Sequence, residues 1–403
     1  MTFFGAVRDN PLFLLFTLLS LVYFFSGLRL AQSLWERRQE FARNPLQPWK
    51  KAWSERAAFL LAVPPGVFVH ELFHALAIWG FGGSLDDAGF GFYWGYVSSA
   101  DPFTAPQNWF IALAGTLGTL LYGFVLWLLL RRSRSDAWRY FGLRVLRFHL
   151  YYALLYYPLF TLFTFIGDWR SIYDFGATPI LSGATLVVHV TSLALFWWTD
   201  RHGWYEMPAF RSDAERQQLQ TLQEQALHNP QDQQAQLQMI DALRRKGASN
   251  EARQRLRDFL GAHPRSAHGH LVMAFLDAEG KNHLPRSVRS NAEEALQLGL
   301  PDRDQQGAAH ALLGQYYLQV ERNEDALRHL DEALALSDGA RQLPRTAQLH
   351  YLRALAQRRR GAYQAASDDI EAALRLARET GNERLVAHYE NEKKTIAHHR
   401  GQI

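Results

Sequence analysis

The sequence predicts an all-α protein, in which a polytopic membrane helix bundle of about five spans precedes a soluble α-helical repeat domain. Residues 1–200 contain five apolar segments with few ionisable side chains, each close to the roughly 20 residues that cross a bilayer as a helix. Residues 213–403 are instead rich in Gln, Arg, Glu, Asp and Ala, with the spacing of amphipathic helices. Two stretches of this second half also align with each other at the spacing of helix pairs.

Length and composition narrow the possible functions. A chain of 403 residues can form two or three domains. The formal net charge of +4 is small for this length and does not indicate nucleic-acid binding. The chain has no cysteine, which excludes disulfides and thiolate metal ligands. A bound metal would therefore need histidine and carboxylate ligands.

The apolar segments define the predicted membrane topology. They are residues 11–29, 57–80, 107–130, 148–167 and 177–198. The first is interpreted as an uncleaved anchor, because its apolar run is longer than that of a signal peptide. Loops 31–56 and 131–147 are basic, whereas loop 81–106 has no Lys or Arg. Because basic loops stay in the cytosol, the N-terminus is predicted outside and the C-terminal region in the cytosol.

Loop 81–106 is unusual in its glycine and aromatic content. Glycines alternate with aromatic residues between Gly89 and Tyr96, which predicts a short membrane-associated β-hairpin rather than a helix. Two interpretations stay open. The hairpin could present a strand edge to an extended peptide, or its rings could form an aromatic belt at the membrane interface.

The second half contains internal repeats. Ala326 and Ala366 mark equivalent positions 40 residues apart, which corresponds to a 34-residue period with a six-residue insertion. Residues 247–264 form a third copy and residues 268–301 a degenerate fourth. These copies resemble tetratricopeptide repeats, which stack as helix pairs and offer a concave binding surface. An undifferentiated helical bundle is the alternative.

These patterns divide the chain into four parts. Residues 1–56 are the N-terminal anchor with its basic cytosolic loop, and 57–200 are the predicted intramembrane core. Residues 201–212 are the linker, and 213–403 are the repeat domain.

The predicted core contains an HExxH motif, His70-Glu71-Leu72-Phe73-His74. Residues four apart share one face of a helix, so His70 and His74 can bind one metal ion. Glu71 lies beside them, where a carboxylate can accept a proton from water activated by a metal. Ionisable side chains inside a membrane span are costly and usually functional. The motif therefore predicts a catalytic metal site.

A catalytic zinc takes three protein ligands and leaves one position open. Asp168, at the end of the fourth apolar segment, is the carboxylate at the most suitable depth for a third ligand. Four other aspartates lie in loops and are weaker candidates: Asp86, Asp87, Asp101 and Asp174. The lone His189 is expected to hydrogen-bond to a neighbouring helix.

Residues 57–198 resemble the site-2 protease family of intramembrane zinc metalloproteases. The resemblance rests on four elements: the membrane HExxH at His70–His74, the glycine-rich stretch Phe81–Val97, the small-residue stretch Ala112–Thr119 and the aspartate in Gly167-Asp168-Trp169. It implies a Zn²⁺ ion bound by His70, His74 and Asp168, with Glu71 as the catalytic residue. It also implies cleavage of peptide bonds in or near membrane spans.

The sequence thus predicts a zinc metalloendopeptidase of a bacterial inner membrane, whose cytosolic repeats recruit a substrate or a regulator. Its expected partners are a membrane-protein substrate, the lipid bilayer and a protein or peptide on the repeats, but not nucleic acid. The first alternative is a catalytically inactive membrane scaffold that displays the repeats. The second is a membrane enzyme acting on prenylated termini. Its later ligand is typically glutamate, yet no glutamate lies between Glu71 and Glu206.

Overall fold

The computed structural model describes residues 11–164, 167–337 and 343–400. It separates into two compact units. The first contains residues 1–224 and 245–251, and the second contains residues 225–244 and 252–403. The described residues are almost entirely helical, which confirms the predicted all-α class.

The first unit is built from apolar helices and one hairpin. Its helices are α1 (Pro11–Glu36), α2 (Arg38–Ala42), α3 (Pro48–Leu60), α4 (Val63–Gly80), α5 (Ala105–Leu130), α6 (Asp136–Tyr151), α7 (Tyr157–Thr164), α8 (Asp168–Ile172) and α9 (Pro179–Arg201). Among the described residues, four helical stretches are long and apolar enough to cross a membrane: Leu14–Glu36, Pro48–Gly80, Ala105–Leu130 and Pro179–Arg201. They correspond to four of the five predicted spans.

The segment 148–167 differs from the single span that was predicted. Helix α6 ends at Tyr151, a π-helical turn covers Tyr152–Tyr156, and α7 follows. Residues 165 and 166 lie outside the described residues. Pro158 lacks the N–H that would continue the α-helical ladder, so an interruption just before it is physically favourable.

Prolines also set the start of the helix that carries the HExxH motif. Pro64 and Pro65 lie in the first turn of α4, where a missing N–H costs little. Helix α3 ends just before, at Leu60, so the chain breaks between the two helices.

The glycine-rich loop forms the predicted hairpin. Strands β1 (Asp87–Phe90) and β2 (Gly95–Ser98) pair antiparallel, with Asp87 opposite Ser98 and Phe90 opposite Gly95. Phe92, in the turn, has a positive φ of 65°. The ring of Phe92 stacks on Phe24 of α1, with ring centroids 4.1 Å apart.

Paired arginine and tryptophan side chains mark the ends of the apolar helices. Each guanidinium lies over an indole ring at 3.8–5.2 Å: Arg37 on Trp49, Arg38 on Trp35, Arg131 on Trp127 and Arg201 on Trp197. All twelve tryptophans of the chain lie between residues 35 and 204, within the first unit.

Three helices follow the apolar region and cross the sequence boundaries of the units: α10 (Asp213–His228), α11 (Gln233–Arg245) and α12 (Ser249–Ala262). The second unit continues with α13 (Ala267–Ala278), α14 (Arg286–Gln297), α15 (Arg303–Gln319), α16 (Asn323–Leu336), α17 (Leu343–Arg359), α18 (Tyr363–Glu379) and α19 (Glu383–Arg400).

The second unit is an α-helical repeat stack, as predicted. From α13 to α19 each helix packs on the next along the chain. Small residues such as Ala326, Ala366 and Ala373 are fully buried at the helix crossings. Their size lets neighbouring helices approach closely, which explains the alanine-rich pattern of the repeats.

Histidines recur at one position of the stack. His270, His310 and His350 lie 40 residues apart on α13, α15 and α17. Each Nδ1 lies within hydrogen-bonding distance of a side chain on the following helix: Asn291 at 3.3 Å, His329 at 2.9 Å and Asp369 at 2.8 Å. The first helices of successive pairs therefore share a register of 40 residues.

Candidate metal centre

The structure brings together the three residues predicted as metal ligands. His70 and His74 lie one turn apart on α4, and Asp168 is the first residue of α8. His70 Nε2 is 3.0 Å from Asp168 Oδ2, and His74 Nε2 is 3.1 Å from the same oxygen. The two Nε2 atoms are 3.0 Å apart. Both histidines are buried, with 8% and 6% of their surface exposed.

This triangle of donor atoms fits a zinc ion. Zinc–ligand bonds of about 2.0–2.1 Å in tetrahedral geometry place neighbouring ligand atoms about 3.3 Å apart. The observed separations of 3.0–3.1 Å are close to that value. Two imidazoles and one carboxylate also match the ligand types of a catalytic zinc site with one open position.

The Nδ1 atom of each histidine, on the side of the ring away from Asp168, has a hydrogen-bond partner. His74 Nδ1 lies 2.7 Å from the carbonyl oxygen of Ile111, which can only accept, so this nitrogen donates. His70 Nδ1 lies 3.0 Å from Thr119 Oγ1, whose own hydroxyl donates to the carbonyl of Gly115. The threonine oxygen therefore accepts from His70. Because Nδ1 donates in both rings, the neutral form of each ring carries its lone pair on Nε2, on the side of Asp168, as in metal-binding histidines.

Gly115 of α5 leaves the space that this cluster occupies. A Cβ atom at position 115 would lie 2.3 Å from His74 Nε2 and 2.7 Å from His70 Nε2. Any larger residue there would displace the imidazoles. The small-residue stretch on α5 thus makes room for the predicted metal ligands.

Tyr157 holds the carboxylate of the third predicted ligand. Its hydroxyl donates to Asp168 Oδ2 at 3.1 Å. Its ring lies edge-on to the His70 ring, with ring centroids 5.6 Å apart and planes at 81°. No sequence motif marks Tyr157 as part of the site, although it lies only 11 residues before Asp168. Thr119 ends the small-residue stretch, and its contact with His70 joins positions 49 residues apart.

The hairpin lies beside Glu71. A Cβ atom on Gly95, the first residue of β2, would come within 3.0 Å of Glu71 Oε1. Gly91 donates its N–H to the carbonyl of Trp94, so pairing in this register directs the backbone groups of Gly95 and Val97 away from β1. Glycine at position 95 thus allows the strand to approach the carboxylate.

A cavity of about 1370 Å³ contains the cluster. His70, Glu71, His74 and Asp168 all line it. Aromatic rings from several elements complete the wall: Phe16, Tyr23, Tyr93, Trp94, Trp109, Tyr152 and Tyr157. The cavity exceeds the roughly 300–1,000 Å³ typical of sites for small molecules, which leaves room for a peptide segment.

The weaker candidate ligands have other roles in the described residues. Asp86 and Asp101 accept backbone N–H groups of their own loop, from Ala100 and Ser84, and Asp87 accepts from the Tyr96 hydroxyl. Asp174 caps the turn before α9 by accepting from the N–H groups of residues 176 and 177.

His189 makes two hydrogen bonds to other segments, as expected for a lone histidine on an apolar helix. Its Nδ1 lies 2.5 Å from the Tyr173 hydroxyl and its Nε2 lies 2.6 Å from the carbonyl of Leu154. Both ring nitrogens are therefore engaged away from the metal-ligand cluster.

No family model matches the chain, and no curated protein matches it. Among solved structures, a thermophilic TPR protein of Thermus thermophilus is similar at 19% identity and a TM-score of 0.32, over 43% of this chain and 87% of that one. The APC/C hetero-tetramer Cut9–Hcn1 is similar at 15% identity and a TM-score of 0.37, over 98% and 87%. Neither similarity is close enough to transfer a partner or an activity to this chain.

Proposed function

We propose that the protein is a zinc-dependent intramembrane endopeptidase, which hydrolyses peptide bonds in or near transmembrane segments of other membrane proteins. The observation that carries the proposal is the triangle of His70, His74 and Asp168 donor atoms, 3.0–3.1 Å apart. A carboxylate, Glu71, follows the first histidine on the same helix.

The exposed faces of the apolar helices support the membrane setting. On α9, Ile180, Val187 and Val188 expose 83%, 67% and 65% of their surface. Leu129 at the end of α5 exposes 70%. Contiguous apolar surface of this kind is unfavourable in water and marks a membrane or protein contact. Helices hydrophobic on their outer faces are stable in lipid.

The arginine–tryptophan pairs support one orientation. They lie at the end of α1, the start of α3, the end of α5 and the end of α9. If the five predicted spans, with segment 148–167 counted as the fourth crossing, alternate in direction from an outside N-terminus, all four positions fall on the cytosolic side. Tryptophan and arginine are both enriched at membrane interfaces, and arginine favours the cytosolic one. The repeat unit is then cytosolic, and we place the protein in a bacterial inner membrane.

Residues of the chain would bind the peptide substrate and transfer the proton of the attacking water. A zinc ion supplies a Lewis acid that acidifies water and polarises the scissile carbonyl. Glu71 would accept the proton as general base and return it to the leaving amine. The backbone groups of Gly95 and Val97 could bind an extended substrate by strand addition, next to Glu71. The aromatic wall would keep bulk water away.

The repeat stack supports a role in recruitment. Stacked helix pairs present continuous surfaces that bind protein segments. A cytosolic stack of this kind would bring a substrate or a regulator to the membrane site.

Metal content and precursor accumulation test the proposal. Purified wild-type protein should contain about one zinc ion per chain. Cells with Glu71→Gln should accumulate uncleaved membrane proteins, whereas the protein itself keeps its zinc because Glu71 is not a ligand. His74→Ala should lose both zinc and activity. Zinc-free wild-type protein, together with an unchanged membrane proteome in the Glu71→Gln strain, would refute the endopeptidase.

The second candidate is a membrane scaffold that binds proteins without cleaving them. The helical repeat stack from α13 to α19 favours it, since protein binding is what such stacks generally do. The same experiment separates the two. A scaffold predicts that Glu71→Gln behaves like wild type, while disruption of the repeat stack, for example by Leu330→Asp in its core, abolishes function.

A further inference from the structure

One tyrosine contacts both the carboxylate and the backbone N–H of Asp168. The Tyr157 hydroxyl donates to Asp168 Oδ2 at 3.1 Å and accepts the backbone N–H of Asp168 at 3.4 Å. Since the hydroxyl accepts from the backbone, its own proton is directed to the carboxylate. The tyrosine thereby fixes both the backbone and the side chain of one residue.

The backbone next to Asp168 is shaped to admit this hydroxyl. Gly167 has a φ of 123°, a conformation that residues with a side chain rarely adopt. A Cβ atom at this position would lie 3.1 Å from the Tyr157 hydroxyl and 2.8 Å from Thr161 Oγ1. Glycine at position 167 therefore serves the contact between Tyr157 and Asp168.

The π-helical turn aims the tyrosine at the site. Tyr157 follows directly after the turn at Tyr152–Tyr156 and donates its N–H to the Tyr152 carbonyl, five residues back. One extra residue per turn rotates everything that follows by about 100° relative to an α-helix. Because of this rotation the Tyr152 and Tyr157 rings stack, with centroids 5.7 Å apart and planes at 5°. The stack holds Tyr157 edge-on to His70.

We infer that Tyr157 is the positioning residue of the metal site: its hydroxyl orients the Asp168 carboxylate so that Oδ2 faces the two Nε2 atoms. This inference rests on the proposed zinc function. Residues that orient a metal ligand through a hydrogen bond typically contribute 10–100-fold to metal affinity. The π-helical interruption of segment 148–167 then belongs to the site.

The test compares two tyrosine-to-phenylalanine variants of the full-length protein. Tyr157→Phe removes the hydroxyl that contacts Asp168. Tyr152→Phe removes the same group from the ring stacked on it and leaves the Asp168 contacts in place, which makes it the matched control. Zinc affinity is measured by competition with a chelator, and the ligand field by the visible absorption of the Co²⁺-substituted protein.

Tyr157→Phe should lower zinc affinity by about 10–100-fold and change the Co²⁺ spectrum. Tyr152→Phe should stay within about twofold of wild type with an unchanged spectrum. In an Asp168→Ala background Tyr157→Phe should have no further effect, because the group that it orients is gone. This background also keeps the test decisive if Tyr157→Phe weakens the fold, since a general destabilisation would persist there.

Equal affinities and spectra for Tyr157→Phe and wild type would overturn the positioning role and leave the zinc site intact. Equal losses with and without Asp168 would overturn it too. If wild-type protein itself binds neither zinc nor cobalt, both the proposed function and this inference fail.

Discussion

The absence of a side chain at Gly115 allows the imidazoles of His70 and His74 to approach each other. Gly115 lies so close to both Nε2 atoms that even a methyl group would overlap them. We predict that Gly115→Ala displaces the histidines and lowers zinc affinity by about tenfold or more, since overpacking a tight site costs about 1–3 kcal/mol. Chelator competition on the purified protein measures the change.

Gly183→Ala is the matched control for this substitution. Gly183 also lies in an apolar helix, α9, but a Cβ atom there meets nothing within 4 Å. Its zinc affinity should equal that of wild type. Equal affinities for the two variants would show that Gly115 does not shape the site.

A histidine pair makes the repeat stack sensitive to acid. Burial, together with His310 and Arg328, lowers the pKa of His329 to about 4, against an unfolded value of about 6.5. As the pH falls, His329 is therefore protonated in the unfolded chain before it is protonated in the folded chain. His329 contributes stability that is fully present above pH 6.5 and is lost as the pH falls toward 4.

We predict that His329→Gln reduces the loss of stability between pH 7 and pH 5 by about 1 kcal/mol, allowing for the partial exposure of the ring. Urea unfolding followed by helical circular dichroism measures this loss. His283→Gln, at an exposed histidine, is the control and should retain the wild-type pH dependence. If both variants lose as much stability as wild type, the pair is not the acid-sensitive element.

At this scale the sequence indicated some site residues and not others. The spacing of His70 and His74 fixes their common helix face, and depth in an apolar segment singled out Asp168. Gly115 acts through its contact with the distant helix α4, and Tyr157 acts through Asp168 on the next helix of the chain. Their roles depend on how helices pack, which no local pattern encodes.

At the scale of single elements, the predicted topology is directly testable because the chain has no cysteine. Ala100, after the hairpin, and Gln39, on α2, are both exposed. We predict that a membrane-impermeant thiol reagent labels Ala100→Cys in cells with an intact plasma membrane, and labels Gln39→Cys only after permeabilisation.

The cysteine-free wild type is the control for background labelling. The reverse labelling pattern would mean that the membrane orientation is inverted and that the repeat unit lies outside the cytosol. Labelling of both positions in intact cells would argue against a membrane barrier between the two loops.

Elements were predictable where local chemistry determines them. The prolines at positions 64 and 65 mark the start of α4, and the alternation of glycine with aromatic residues marks the hairpin. Segment 148–167 was not predictable in detail. Its apolar composition suits one continuous helix and does not specify the π-helical turn inside it, which brings the Tyr152 and Tyr157 rings together.

At the scale of the whole molecule, the chain joins two compact units of opposite character. One buries a polar cluster among helices whose outer faces are apolar. The other is amphipathic throughout and buries small residues at helix crossings. The contrast in composition between residues 1–200 and 213–403 made this organisation visible in the sequence, because helices with apolar outer faces and amphipathic helices select different residues.

The confinement of every tryptophan to residues 35–204 gives the protein an internal optical reporter. Indole emission reports on the apolar unit alone, while the tyrosines of the repeat unit remain outside that signal. Trp94 and Trp109 line the cavity that holds the predicted metal ligands. Entry of a peptide, or of a quenching ion such as Co²⁺, should therefore change the emission of the unlabelled protein, so that occupancy of the site can be followed in real time.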